Sequence, residues 1–174
     1  GSLVWQYALD NNPPFTYTHA PLISSEGMIY LPFRDLYVFH PDGQLNWRID
    51  FESLPDSPLS QVESAMLGAD GKIYVLGLDS SRRNYAVVEI DQDGASQRLL
   101  VNLESGTSGS SSTSITSGPD GTLYVNVGQT LYSIETADEK SSDAPWPTFQ
   151  QNSRRTGRVE SSQSLELTLG SPIN

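Results

Sequence analysis

The sequence predicts an all-β protein assembled from repeated four-stranded antiparallel units, and three observations carry that expectation. One pattern recurs three times: SSEGMIYLP at 24–32, GADGKIYVL at 68–76 and GPDGTLYVN at 118–126 each run from an acidic residue and a glycine to an aliphatic residue and then a tyrosine. The tyrosines, Tyr30, Tyr74 and Tyr124, fall 44 and 50 residues apart. Between them, alternating or β-branched runs end in Asp-Gly or Glu-Gly pairs, which are hairpin signals because such turns need the positive φ that Gly and Asp tolerate. A period of roughly 40 to 50 residues with four strands per unit is the signature of a β-propeller, whose blades bury each other's faces around an axis.

Within the first complete unit, at 20–51, strand A is APLIS, strand B MIYLP, strand C LYVFH and strand D QLNWRIDF. The second blade spans 64–103, where AVVEIDQDGASQRLLVNL parallels DLYVFHPDGQLNWRIDF of the first. A third, at 113–136, stops after TLYSIET with no GxLxW strand, so it reads as incomplete. Conversely, GSLVW at 1–5 matches GQLNW at 43–47, which makes residues 1–9 the outer strand of a preceding or closing blade. The two deficits are complementary. Propeller rings begin at about four blades, so the expectation is an incomplete propeller of about three four-stranded antiparallel blades. It is a fragment of a larger ring or a partial ring completed by oligomerisation through exposed blade edges, which invite pairing with another chain.

Composition removes several function classes. Ten Lys plus Arg against 21 Asp plus Glu give a formal charge of −11, which repels phosphate backbones and anionic lipid surfaces. Neither nucleic acid nor membrane insertion is expected, since no apolar run approaches the roughly 18 residues a spanning helix needs. The chain has no cysteine, so disulfides and thiolate chemistry are excluded.

These repeats resemble the PQQ-like (pyrroloquinoline quinone) repeat family, whose units run DG-x-[IL]-Y-V, then LYAL, then G-x-L-x-W. The resemblance covers residues 1–159 and is close at the Asp-Gly and Tyr positions and at Trp5 and Trp47; the second unit departs from it by placing Arg98 where that tryptophan belongs. The stretch PWPTFQQNSRRTGRV at 145–159 is similar to a WPxFxxNxxxTGR segment that accompanies such propellers in bacterial envelope and surface proteins. The resemblance therefore implies an extracytoplasmic setting: periplasmic, cell-surface or secreted. In the tail, Trp146 and Phe149 are expected to pin this segment against the propeller body, with Gly157 permitting a turn, and residues 160–174 hold SLELTL, a possible extra strand for the vacant outer position of the third blade.

Strand order sorts the loops. The A-to-B and C-to-D turns are tight Asp-Gly or Glu-Gly elements on one face, explained by turn geometry. The B-to-C and D-to-A connections, at 10–19, 52–63, 79–84 and 104–114, are long and irregular, and binding is expected on their face. Candidate residues there are Arg34, Asp35, Arg82, Arg83 and His19. Arginine pairs could grip a carboxylate or sulfate, with solvated loop charge as the plainer reading. EIDQDG at 89–94 lacks the later glutamate of a calcium loop and reads as a hairpin turn. His19 and His40, the only histidines, stand in no triad or metal pattern, and Trp5 and Trp47 are expected to wedge between blades rather than stack on a ligand. No catalytic residues, metal site or cofactor are assigned. The expected function is a non-catalytic scaffold or binding module whose partner is a protein or the missing blades of the same propeller. The alternatives are a fragment of a PQQ-dependent dehydrogenase, for which the resemblance implies calcium, a catalytic Asp and often vicinal cysteines, and a glycan-binding or glycan-active propeller, which would want paired carboxylates.

Overall fold

The computed structural model describes residues 1–9, 20–68, 71–79, 81, 83–103, 113–118 and 120–136. They form three antiparallel sheets and, among the described residues, no helix. Sheet 1 has the order β1 (Leu22–Ile23), β2 (Ile29–Phe33), β3 (Asp35–Phe39), β4 (Leu45–Ile49). Sheet 2 follows with β5 (Leu59–Leu67), β6 (Ile73–Asp79), β7 (Tyr85–Ile90) and β8 (Gln97–Leu103). Sheet 3 contains β9 (Thr113–Ser117), β10 (Leu123–Val127) and β11 (Thr130–Ile134), with β10 in the middle. Strands B and C fall where the repeats put them, and the arrangement is compatible with propeller blades.

Period-two alternation decides which sheet touches which. In β6, Ile73 and Val75 join a cluster with Tyr30, Leu36 and Val38 of sheet 1, while Tyr74 and Leu76 join a second cluster with Leu123, Val125 and Val127 of sheet 3. β7 divides in the same way, with Ala86, Val88 and Ile90 toward sheet 1 and Tyr85 and Val87 toward sheet 3. Sheet 2 is therefore apolar on both faces, as a sheet buried on both sides must be. The repeat tyrosines follow this logic: Tyr30 and Tyr74 face the next sheet and are buried, whereas Tyr124, on the side of sheet 3 turned away from sheet 2, is 38% exposed.

A second link joins the sheets at their outer strands. Trp47 of β4 donates its indole N–H to the carbonyl of Gln92 at 3.1 Å, in the turn between β7 and β8. The ring lies over Gly94, whose φ is +73° and where a methyl group would stand 3.1 Å from the indole. Trp5 repeats this contact one unit earlier, with its N–H on the Pro41 carbonyl at 3.1 Å and its ring against Gly43, φ +87°. The glycines serve two needs at once, a left-handed turn residue and a bare surface for the ring. Residues 1–9, expected as an outer strand, are assigned to no strand; Trp5 and Tyr7 instead hold this segment on Phe39, with ring centroids 6.4 and 4.9 Å away.

The outer strand of sheet 2 carries no such tryptophan. Register places Trp47 opposite Val38 in sheet 1 and Arg98 opposite Glu89 in sheet 2. Arg98 bonds Glu89 at 2.6 Å, and Lys72 reaches both Glu89 at 3.2 Å and Asp91 at 2.6 Å. An ionic cluster thus takes the tryptophan's place.

One boundary differs from the sequence expectation. β5 begins at Leu59, inside the stretch 52–63 read as a loop, because Leu59 and Val62 are buried in the first cluster despite the polar residues around them. The β5 register against β6 shifts twice here, and Gly77 admits the bulge: a methyl group there would meet the Gln61 carbonyl at 2.2 Å. At the same level the backbone of Arg34 bridges to Val62, whose N–H donates to the Arg34 carbonyl at 2.7 Å.

Gly94→Ala should destabilise the protein by about 1 to 3 kcal/mol, from the positive φ and the collision with the indole together. Trp47→Ala should cost about 2 to 4 kcal/mol. In urea denaturation the double variant should lose less than the sum, since the collision disappears with the ring. Additive losses, or a Gly94→Ala variant as stable as the parent, would remove the indole-on-glycine contact from the account.

Candidate functional site

The face carrying the B-to-C and D-to-A connections is where the charged candidates gather. Arg34 is the single residue between the paired ends Phe33 and Asp35 of β2 and β3, and its φ of +52° closes this very short hairpin. Its guanidinium pairs with Glu52 in the loop that follows β4. Asp35 points into the sheet, with a side chain only 2% exposed. It accepts from Arg48 Nε at 2.8 Å and from the Arg48 terminal nitrogen at 2.6 Å, while the Tyr37 hydroxyl donates to it at 3.5 Å. Arg48 also lies over the Tyr37 ring, 5.1 Å from its centroid.

Burial pushes the Asp35 carboxyl up, and the hydrogen bond and charge of Arg48 oppose this without fully offsetting it. Burial works the other way on Arg48, to lower it, but its bond to Asp35 outweighs that and holds the guanidinium more firmly protonated. The two directions favour opposite states of the pair. Because a guanidinium does not lose its proton in proteins, the short contact means an ionised pair at neutral pH.

Across the face, Asp79 organises the connection between β6 and β7. Its carboxylate accepts from the Ser81 hydroxyl at 2.7 Å, the Arg83 N–H at 3.1 Å and the Asn84 N–H at 3.3 Å. Burial alone would raise this carboxyl; the Ser81, Arg83 and Asn84 bonds outweigh it and hold it below the usual aspartate range. The Ser60 hydroxyl donates to the Asp79 carbonyl at 2.9 Å, tying the connection to β5.

Between these two anchors runs a groove of about 1070 Å³, walled by the 51–58 loop on one side and β8 on the other. Asn84, Gln97 and Asn102 present amides to it, Leu54 and Leu99 line it as exposed apolar side chains, and Asp56 stands on its rim. The loop is braced from within. Asp50 accepts from the Ser53 N–H and hydroxyl at 3.2 and 2.8 Å, and the Ser57 hydroxyl donates to the Leu59 carbonyl at 2.7 Å. Asp56 takes φ +56°, a conformation that aspartate tolerates better than most residues but that still costs energy, and such outliers cluster at binding sites.

No family model and no curated protein matches the chain. The site is therefore read from its geometry.

Two sequence candidates border the groove without lining it: Arg34 through Glu52, which does line it, and Arg83 through Asp79. Asp35 is instead buried with Arg48. His19, Arg82, Trp146, Phe149 and Gly157, with the 145–159 segment and the 160–174 tail, lie outside the described residues. Among the described residues, no group of three or more His, Asp and Glu is arranged to hold a metal ion. Leu99, Gln97 and Asn102 went unremarked in the sequence because they lie on an outer strand; the one signal was Arg98 in place of the repeat tryptophan, which marks this strand as unlike its counterpart.

Arg48→Met isolates a buried carboxylate and should cost about 3 to 5 kcal/mol at pH 7. Without the guanidinium, the folded-state pKa of Asp35 stands further above its unfolded value. The penalty is then absent below the unfolded pKa and grows as pH rises toward the folded one. Denaturation of the variant should show a much smaller loss near pH 4 than at pH 7, and a loss independent of pH would contradict the pairing.

Proposed function

We propose that the chain is a non-catalytic propeller module of the PQQ-like repeat type, serving as a scaffold or binding unit of a bacterial envelope or secreted protein, and that its ligand is an extended peptide segment of a partner protein. The groove beside β8 carries this reading. The amides of Asn84, Gln97 and Asn102 can each donate to and accept from a backbone, and Leu54 and Leu99, about 40% and 43% exposed, offer apolar contact to a side chain. The net charge of −11 favours basic segments. Three of the acidic groups nearby are occupied in building the fold: Asp35 with Arg48, Asp79 with its own loop, Glu52 with Arg34. That use of carboxylates supports a binding role over acid-base chemistry.

Peptides selected from a displayed library on this chain should combine apolar with Lys or Arg residues and lose at least about tenfold in affinity to Leu99→Glu. Leu99 is exposed, so that variant should keep the parent's thermal midpoint. Selected peptides indifferent to Leu99→Glu would remove the groove from the proposal. Saturable binding of PQQ in calorimetry with calcium present would replace it with the dehydrogenase reading.

A further inference from the structure

The groove holds one charge that the fold does not use. Three carboxylates line it, from Glu52, Asp56 and Asp79. Glu52 pairs with Arg34, and Asp79 accepts from Ser81, Arg83 and Asn84. Asp56 has no hydrogen-bond or ion-pair partner for its side chain among the described residues, and none of those lining the groove is a Lys or Arg that could neutralise it. The contrast with the rest of the molecule is clear, since Arg34, Arg48, Lys72 and Arg98 each meet a carboxylate elsewhere.

Asp56 is also a strained choice for its position. Leu54, Pro55, Asp56 and Ser57 form a turn closed by the Ser57 N–H on the Leu54 carbonyl at 3.4 Å. Proline in second place and a φ of +56° in third are the pattern of a type II turn, whose third position favours glycine or asparagine. The loop is held by other contacts on either side, from Asp50 to Ser53 and from Ser57 to Leu59, so the turn does not need this carboxylate. Strain that returns no contact to the fold points to a use outside it.

We infer that Asp56 is the specificity-determining residue of the groove and selects an arginine side chain of the bound peptide. This rests on the groove being the binding site. Both oxygens of the carboxylate lack a partner, and a guanidinium takes two such oxygens in a bidentate pair that an ammonium cannot match. The amide oxygens of Gln97 and Asn102 belong to the same groove and can accept N–H groups left over. Leu54, two residues before Asp56, and Leu99 on the facing wall offer apolar cover to the methylene stem. Leucines for the stem and a carboxylate for the head suit a long cationic side chain. The net charge of −11 attracts lysine and arginine alike; Asp56 is what separates them.

Heptapeptides selected on the parent chain from a random displayed library should share an arginine at one position. For a synthetic copy of such a peptide, replacing that arginine by lysine, or changing Asp56→Asn in the protein, should each lower affinity at least about fivefold. The two changes together should lose little more than either alone, because they break one contact, and added salt should weaken the parent more than the variant. Asp56→Asn and Asp56→Gly should keep or raise the parent's thermal midpoint, since both residues accept the positive φ. Peptides that need Leu99 yet lack arginine, accept lysine in its place or bind Asp56→Asn as tightly as the parent would overturn the inference and leave the groove standing. A library that yields no binder, or binders indifferent to Leu99→Glu, would remove the groove and this inference with it. A midpoint clearly lowered in both Asp56 variants would make the carboxylate a structural one, and the assignment would fall.

Discussion

The architecture depends on the middle sheet being buried on both sides. A strand that alternates Ile73, Tyr74, Val75 and Leu76 has no polar face to give to water, so sheet 2 is satisfied only between two neighbours. At roughly 25 cal/mol for each Å² of apolar surface removed from water, two such faces outweigh any single hydrogen bond or ion pair in the molecule. Sheets 1 and 3 each bury one face against it. Their other faces meet different conditions: Trp5 and Tyr7 cover Phe39 in sheet 1, while sheet 3 leaves Tyr124 and Leu131 to solvent. The repeat therefore describes less a strand pattern than a stacking rule, in which every sheet needs the next.

The outer rim changes character from sheet 1 to sheet 2. Between sheets 1 and 2 it is apolar: Trp47 reaches across to a glycine turn beside Met28 and the first cluster. Within sheet 2 the equivalent positions hold Arg98, Glu89 and Lys72, which pair with one another. Burial would raise Glu89, but Arg98 and Lys72 outweigh it and hold the carboxyl below the usual glutamate range, and the Lys72 bond does the same for Asp91. Lys72 and Arg98 are partly or largely solvent-exposed, and exposed pairs contribute little each. In sheet 2 the register position that holds Trp47 in sheet 1 thus carries screened ion pairs within the sheet itself. The sequence change is concerted, since no glycine follows β11 at the place where Gly43 and Gly94 receive a ring; the next glycine in the chain is Gly157.

What was legible in the sequence was whatever repeats. Three signatures of an acidic residue, glycine and tyrosine placed strands B and C of every sheet. Arg98 stood out as a departure, but its partners did not, because Glu89 and Lys72 become neighbours only through strand register. The early start of β5 was hidden by Ser60, Gln61 and Glu63, which make a half-buried strand read as a polar loop. The groove lies on the face where the sequence put binding, with the 52–63 and 79–84 connections contributing most of its lining, but the share of β8 was not foreseen. It is assembled from a loop at 51–58 and a strand some forty residues later, which only the fold brings together.

If burial on two sides is what holds the molecule, local stability should rank with position in the stack, and native-state hydrogen exchange measures that directly. Amides of β6 and β7 should exchange last, at rates set by global unfolding, with those of β10 faster and those of β11 faster still. Protection in β10 equal to or greater than that in β6 and β7, or a middle sheet that opens before its neighbours, would contradict the account.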